Sequence, residues 1–160
     1  TANADKVRSI GHSASKTGSP MPAFQLHPRL AADTQIVGDL PLCQLLLLND
    51  RRFPWCVLVP RQADLRELHD LPADALASLM NEVVAVSRAL KIHCNAFKIN
   101  VGALGNLVPQ LHVHVVGRRE NDDAWPGPVW GHGQAIPYEE AEAARLRNAL
   151  REACGAKLAR

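Results

Sequence analysis

The segment from Gln110 to Val116 constrains the fold of this chain more than any other. Along it, apolar Leu111, Val113 and Val115 alternate with polar residues. Because successive side chains of a β-strand point to opposite faces, this period of two predicts a strand over residues 110–116 with one apolar and one polar face. The polar face carries Gln110, His112 and His114.

That polar face is a candidate site. An unsatisfied polar group costs about 1–3 kcal/mol when buried, so polar side chains in register on a strand are expected to have partners. Imidazole, with an ordinary pKa of about 6.5, is mostly neutral and nucleophilic at pH 7. Gly102, Gly105 and Asn106 lie between two predicted strands, and such flexible backbone can turn N–H groups toward a phosphate. The combination points to phosphoryl or nucleotidyl transfer.

A histidine pair on a strand is also found as a metal-ligand pair or as a hydrogen-bonded core pair. Zinc usually requires three or four ligands at recognisable spacing. The four cysteines are scattered singly, without a C-x-x-C pair. A small metalloprotein using His112 and His114 is therefore the weaker interpretation, and the site is predicted to need no metal or other cofactor.

The motif resembles the signature of the histidine-triad (HIT) superfamily of nucleotide hydrolases and transferases, in which three histidines alternate with apolar residues. Gln110 replaces the first histidine, and the second and third are kept as His112 and His114. Asn100 before the glycine-containing loop, Gly117-Arg118 and Trp125-Pro126 also match in order. The similarity extends roughly from Phe24 to Trp130.

The resemblance implies catalytic positions for Gln110, His112 and His114. His112 would attack the α-phosphorus and form a nucleotidyl-histidine, and His114 would bind phosphate and protonate the leaving group. Gln110 contributes only neutral hydrogen bonds. The phosphate oxygens would be held by the glycine-bearing loop and the residue before it, that is, by Asn100, Gly105, Asn106 and Leu107.

Other residues are assigned to the nucleoside and the leaving group. Asp50 matches the family's ribose-binding acidic residue; without the resemblance it is an ordinary turn aspartate. Leu48 and Phe53 either line a purine pocket or belong to the core. Trp125 and Trp130 lie in a proline-stiffened segment that either closes over the leaving group, with Trp125 the candidate contact, or covers apolar surface.

Composition limits the class of protein. A chain of 160 residues with 47% hydrophobic residues suits one domain. The net charge of +2 is dispersed, which argues for a small ligand and against nucleic acid. The resemblance implies that this ligand is a purine nucleotide. No apolar run approaches the roughly 20 residues of a membrane span, and no signal peptide is evident. Unpaired cysteines favour a reducing compartment, so a cytoplasmic protein without a membrane partner is expected.

Hydrophobic periodicity predicts an α+β fold with an antiparallel sheet of about five strands, one long helix and a C-terminal helix. Strands are expected at 42–48, 53–59, 96–101 and 110–116, with Pro54 at a strand start or on an unpaired side of the strand. A helix-like connector is predicted at 64–69, a long helix from 71–74 to about Lys91, and a C-terminal helix at 138–153. Residues 1–22 are predicted to be a flexible tail, and residues 23–160 a single HIT-like domain.

Two further expectations concern activity and assembly. Gln110, and Ala63 where many relatives have a histidine, leave open a nucleotide-binding or sensing module with negligible turnover. The family usually forms homodimers by joining two sheets, and the narrow apolar stripes of the helices fit a chain that buries surface against a copy of itself.

Overall fold

The structure, a computed structural model, describes residues 23–158. The predicted tail 1–22 lies outside the described residues. An antiparallel sheet of five strands forms the centre of the domain, in the order β1-β2-β3-β5-β4. The strands are β1 Thr34–Asp39, β2 Cys43–Leu48, β3 Trp55–Pro60, β4 Lys98–Gly102 and β5 Val113–Arg118. The predicted α+β class and antiparallel sheet are confirmed.

Three helices accompany the sheet: α1 Pro28–Asp33, α2 Ala73–His93 and α3 Glu140–Cys154. The predicted long and C-terminal helices are confirmed to within a few residues. Pro72 precedes the first helical residue of α2 as its N-cap, because its fixed φ and missing N–H suit that end of a helix. The connector predicted at 64–69 is only a short 3-10 turn, Leu68–Asp70.

The two faces of the sheet bury different clusters. On one face, Leu79, Val83, Val86 and Leu90 of α2 pack against the sheet, and the predicted apolar residues Leu111, Val113 and Val115 lie in this cluster. Met80 and Val84, which recur at helical spacing with these apolar residues, are exposed. The second cluster, on the face away from α2, contains Leu30, Leu46, Trp55, Val57, Val116 and Val129.

The strand predicted over 110–116 begins three residues later, at Val113. Gln110 and His112 therefore lie in the approach to β5 rather than in its ladder. His114 is paired with Val57 of β3 and Gly102 of β4, so its side chain stands on the face opposite α2. The long helix α2 covers the other face, and of the described helices only the short α1 lies on this one, which leaves room for a cavity.

Within the described residues, no helix is long and apolar enough to cross a membrane.

Candidate active site

A cavity of about 340 Å³ opens on the sheet face that carries His114, a volume within the usual range of small-molecule sites. Both histidines line it, together with one turn of the loop between β4 and β5. Its walls combine apolar side chains with one ion pair from α1. The residues that line it include Arg29, Leu30, Asp33, Leu48, Val57, Gly105, Asn106, Leu107, Val108, His112, His114 and Trp130.

The imidazole of His112 is held in one tautomer. Its Nδ1 lies 2.7 Å from the backbone carbonyl oxygen of Gln110. A carbonyl oxygen can only accept, so Nδ1 carries the ring proton and donates it. In the neutral ring Nε2 is then unprotonated and keeps its lone pair. The His112 side chain is nearly buried, at 6% exposure, so this orientation is fixed by packing as well.

His114 is held in the opposite tautomer. The indole Nε1–H of Trp55 donates to His114 Nδ1 at 2.9 Å, so Nδ1 accepts and the ring proton lies on Nε2. The rings of His112 and His114 are 4.8 Å apart and nearly perpendicular. Burial, and secondarily the nearby His112, lower the pKa of His114 to about 4. The pair thus presents one nitrogen with a lone pair and one N–H donor.

The glycine-bearing loop supplies backbone donors to the same cavity. Gly105 has φ +70°, a left-handed conformation that glycine adopts without strain. Within residues 23–158, the N–H groups of Gly105, Asn106 and Leu107 donate to no protein acceptor. Such unpaired N–H groups beside an anion-sized opening are suited to phosphate oxygens. The predicted phosphate-binding residues Gly105, Asn106 and Leu107 are therefore brought beside the histidines.

The side chain of Gln110 is not part of this cavity. Its Oε1 accepts from His27 N at 2.8 Å, and its Nε2 donates to Gln25 O at 2.8 Å. The prediction that Gln110, His112 and His114 project together is wrong for Gln110, because the residue precedes the regular strand and turns toward the N-terminal segment. Gln110 serves the site through its backbone carbonyl, which orients His112.

This geometry predicts that Gln110→Ala weakens the fold more than the chemistry. Two hydrogen bonds to the backbone are lost, one half-buried and one exposed, at about 0.5–1.5 kcal/mol each, while the carbonyl that holds His112 remains. We expect a drop in the unfolding free energy of roughly 1–3 kcal/mol by urea titration. Gln134→Ala, at an exposed glutamine, is the control. Loss of nucleotidyl transfer without loss of stability would contradict this structural role.

Asp50 also lies outside the cavity. Its carboxylate accepts from Arg52 Nε and Nη2 and from the backbone N–H of Ile136. Burial alone would raise the pKa of Asp50, but these hydrogen bonds outweigh it, and the pKa lies below its ordinary value. The predicted ribose contact is not supported, because both carboxylate oxygens are occupied in anchoring the 132–136 segment. The carboxylate that does line the cavity belongs to Asp33, which sequence reasoning missed.

The two apolar candidates differ. Leu48 lines the cavity, as one interpretation predicted. Phe53 is fully buried, with its ring centroid 6.4 Å from that of Trp55 and the Arg52 guanidinium over its face. Phe53 is therefore core.

Asn100 is half-buried on the same sheet face as His114 but does not line the cavity. Its Oδ1 accepts from Arg118 Nη1 at 2.7 Å. Its Nδ2 makes no hydrogen bond within the described residues, so the predicted contact with a phosphate oxygen stays a prediction.

Of the two tryptophans considered from the sequence, the structure places Trp130 in the cavity and Trp125 outside it. Trp125 packs edge-on against Phe97, and the Arg118 guanidinium lies 5.5 Å from its ring centroid. Trp130 contacts the His114 ring edge-on at 5.9 Å between centroids. The ring of Trp130 approaches β4 so closely that a Cβ at Gly102 would lie 3.2 Å from it.

No group of three or more metal-ligating side chains occurs among residues 23–158. Nδ1 of each histidine is hydrogen-bonded within the protein, so only the two Nε2 atoms could serve as ligands. The metalloprotein interpretation receives no support from this arrangement.

An antiparallel sheet with two oriented imidazoles beside a glycine-bearing loop is the arrangement of a histidine-triad domain, and the comparisons agree. The HIT domain model matches residues 29–121, and this chain belongs to that family. Members of the family are generally nucleotide-binding proteins and are often nucleotide hydrolases or transferases.

Several solved structures are similar to this chain. A histidine triad protein from Bradyrhizobium japonicum is 48% identical, with a TM-score of 0.81, covering 83% of this chain and 99% of that one. One from Sinorhizobium meliloti is 49% identical, with a TM-score of 0.79, covering 81% and 96%. One from Marinobacter aquaeolei is 44% identical, with a TM-score of 0.81, covering 84% and 98%. A search of curated proteins finds no match.

Proposed function

We propose that this protein is a nucleotide hydrolase or nucleotidyl transferase that acts on the α-phosphate of a purine nucleotide through a covalent nucleotidyl-His112. The observation that carries the proposal is the fixed His112 tautomer. Because Nδ1 donates to the Gln110 carbonyl, Nε2 of the neutral ring carries the lone pair that attack on phosphorus requires. The substrate classes considered are nucleoside phosphoramidates, adenylylated amines and dinucleoside polyphosphates.

The lining of the cavity supports binding of the phosphate beside that nitrogen. The N–H groups of Gly105, Asn106 and Leu107 would hold the non-bridging oxygens, and His114 would add its Nε2–H. Donors fixed in place before the reaction stabilise charge as it develops on those oxygens. Attack by His112 divides one difficult displacement into two easier ones, the second being hydrolysis or transfer to another acceptor.

The remaining walls suit a nucleoside. Leu30, Leu48, Val57 and Val108 form an apolar surface that would contact the base, and we place a purine there because of its larger apolar face. Asp33 is the carboxylate within the lining, so we assign ribose hydroxyls to it in place of Asp50. This assignment replaces the contact suggested by the resemblance.

The test of the proposal is direct capture of the intermediate. Protein is mixed with an adenylyl donor, quenched in base within one turnover, and analysed by intact mass and peptide mapping. Base is used because phosphoramidate bonds to histidine are labile in acid. An adenylyl mass on the peptide containing His112 is expected. Tight AMP binding by calorimetry with no adduct in single-turnover experiments would instead support the sensing module.

A homodimer is a further part of the proposal. Strand β4 is an edge of the sheet, and it exposes Val101 with Phe97 beside it. Helix α2 exposes Met80, Val84 and Ile92. An open edge beside apolar side chains favours pairing with a second chain. We expect a dimeric mass by light scattering at micromolar concentration and a monomer for Val101→Lys; a wild-type monomer would contradict the prediction.

We also propose that the protein works in the cytoplasm. Its cysteines, Cys43, Cys56, Cys94 and Cys154, are free, and burial raises the pKa of each of these thiols. Protonated thiols that form no disulfide are consistent with a reducing compartment.

A further inference from the structure

Trp55 determines the protonation chemistry available to His114. An indole nitrogen is a donor only, so its hydrogen bond to His114 Nδ1 requires an unprotonated Nδ1. If His114 were doubly protonated, its Nδ1–H would face the indole N–H of Trp55 at 2.9 Å between the nitrogens, and this hydrogen bond would be lost. Trp55 is itself 6% exposed, so it has no room to turn away without disturbing the core.

The other side chains around His114 would not stabilise a positive charge on its ring. In the sheet its neighbours are Val57 and Gly102, and the rings of Trp55 and Trp130 contact it edge-on. Within the part of the chain that the structure describes, the only titratable ring in contact with it is that of His112. The charged side chains of the cavity, Arg29 and Asp33, come from α1 and pair with each other at 3.7 Å. The pKa of His114, about 4, agrees with this environment.

A neutral imidazole of this tautomer can donate a hydrogen bond but cannot serve as a general acid, because releasing its proton would create an imidazolate anion. The structure therefore disagrees with the proton-donor role that the family resemblance implies for His114. A leaving group that must be protonated as it departs receives no proton from this pair.

We propose that Trp55 is a positioning residue that sets leaving-group specificity: by holding His114 as the Nε2–H tautomer, it favours nucleotides whose leaving group departs as an anion over alkylamine phosphoramidates. The favoured substrates are phosphoanhydrides, such as dinucleoside polyphosphates, and acyl or aryl esters of a nucleoside monophosphate. This inference rests on the proposed function and narrows its substrate class.

The chemical step balances without a proton donor. The lone pair of His112 Nε2 forms the N–P bond, the bond from phosphorus to the leaving oxygen breaks, and its electron pair departs with that oxygen as an anion. The positive charge stays on the His112 ring, whose Nδ1–H continues to donate to Gln110 O. In the second step water forms the new P–O bond, the N–P electron pair returns to Nε2, and the water proton passes to solvent.

The experiment compares leaving groups on a common adenylyl group. We measure kcat/KM for a dinucleoside polyphosphate, for aryl esters of AMP with phenols of graded acidity, and for an N-alkyl phosphoramidate of AMP. In the wild-type protein the rate should fall steeply as the phenol becomes less acidic. The phosphoramidate should be slower than the anhydride by about 10²–10⁴-fold, the usual contribution of a general acid.

Trp55→Phe tests the role of the N–H while keeping an aromatic ring. The preference for anhydride over phosphoramidate should shrink by roughly five- to tenfold, equivalent to one hydrogen bond. Tyr138→Phe is the matched control, since it removes one polar hydrogen from a half-buried aromatic side chain outside the cavity, and its ratio should not change. NMR of the wild-type protein tests the tautomer without a substitution. The nitrogen signals of His114 should show an unprotonated Nδ1 that does not titrate between about pH 5 and pH 8, the range in which an ordinary histidine titrates.

The outcomes separate the inference from the proposed function. If the adduct forms on His112 but the phosphoramidate reacts as fast as the anhydride, or if His114 titrates near pH 6.5, as an unperturbed histidine does, the inference is overturned and the proposed function stands. If no substrate of the series forms the adduct, both fail.

Discussion

Asparagine in place of His112 should reduce kcat for nucleotidyl transfer by about 10³-fold or more and eliminate the covalent adduct, as expected when the nucleophile of a covalent mechanism is removed. The amide is close in size and polarity to the imidazole, so the cavity should keep its shape. Asparagine offers no basic nitrogen, and its amide nitrogen cannot attack phosphorus. The measurement is steady-state turnover of a dinucleoside polyphosphate together with intact mass after a single turnover.

Binding and folding controls make this result specific. AMP affinity by calorimetry should change little for His112→Asn, because the backbone donors of Gly105, Asn106 and Leu107 remain. His69→Asn is the matched control: its side chain is 84% exposed, and it does not line the cavity. Undiminished turnover by His112→Asn, with His69→Asn also active, would exclude His112 as the nucleophile.

The histidine pair could be predicted from the sequence because a local pattern encodes it. Alternation places Leu111, Val113 and Val115 in the core under α2, and it puts His114 on the opposite face. Alternation does not reveal where the strand begins. Gln110 continues the pattern but precedes β5, and its side-chain partners are 83 and 85 residues away in sequence, where no local signal could indicate them.

The other site residues that the sequence analysis misplaced also depend on contacts with residues that a local pattern does not indicate. Asp50 has the residue type and position of a ribose ligand, but Arg52, two residues later, and the Ile136 backbone, 86 residues later, occupy its carboxylate. Trp125 and Trp130 share one segment, and only the tertiary path of the chain brings Trp130 against His114. Trp55, which sets the tautomer of His114, lies within the predicted strand 53–59, and no local pattern there indicates a hydrogen bond to a histidine 59 residues away in sequence.

The missed elements have weak local signals. Strand β1 contains both Gly38 and polar residues, and its pairing with β2 is irregular between Ile36 and Gly38. Glycine and irregular pairing both obscure the period-two pattern. Helix α1 has only six residues, too short for an apolar stripe to be recognised. These elements matter because α1 brings Arg29, Leu30 and Asp33 to the cavity.

Asp122→Ala should be the most destabilising substitution outside the core, lowering the unfolding free energy by about 3–5 kcal/mol. Arg118 is 1% exposed, and Asp122 accepts from its Nε at 2.7 Å and its Nη2 at 2.9 Å. Removing the carboxylate leaves a buried guanidinium with only Asn100 Oδ1 and the face of Trp125 as partners. Urea unfolding of the purified variant provides the measurement.

Glu140→Ala is the matched control for this ion pair. It breaks the Arg147–Glu140 pair, in which Glu140 is 77% exposed, and exposed pairs contribute at most about 1 kcal/mol. Replacing both buried partners, Arg118→Met with Asp122→Ala, should cost less than Asp122→Ala alone, because no unpaired charge remains. If Asp122→Ala and Glu140→Ala lowered the unfolding free energy equally, the buried Arg118–Asp122 pair would contribute no more to stability than an exposed pair.

The same ion pair predicts how stability depends on pH. Burial raises the pKa of Asp122. Hydrogen bonds from Arg118 and from the backbone N–H of Arg119 lower this pKa by more than burial raises it, so the pKa in the folded protein lies below the ordinary value. Stability from this group is therefore complete above about pH 3.9, the unfolded value, and is lost as the pH falls through the folded pKa. Asp122→Ala should flatten the acid limb of the stability curve, since it removes a group that takes up a proton on unfolding. A variant whose acid limb matched that of the wild-type protein would mean that other carboxylates, such as Asp50, dominate acid unfolding.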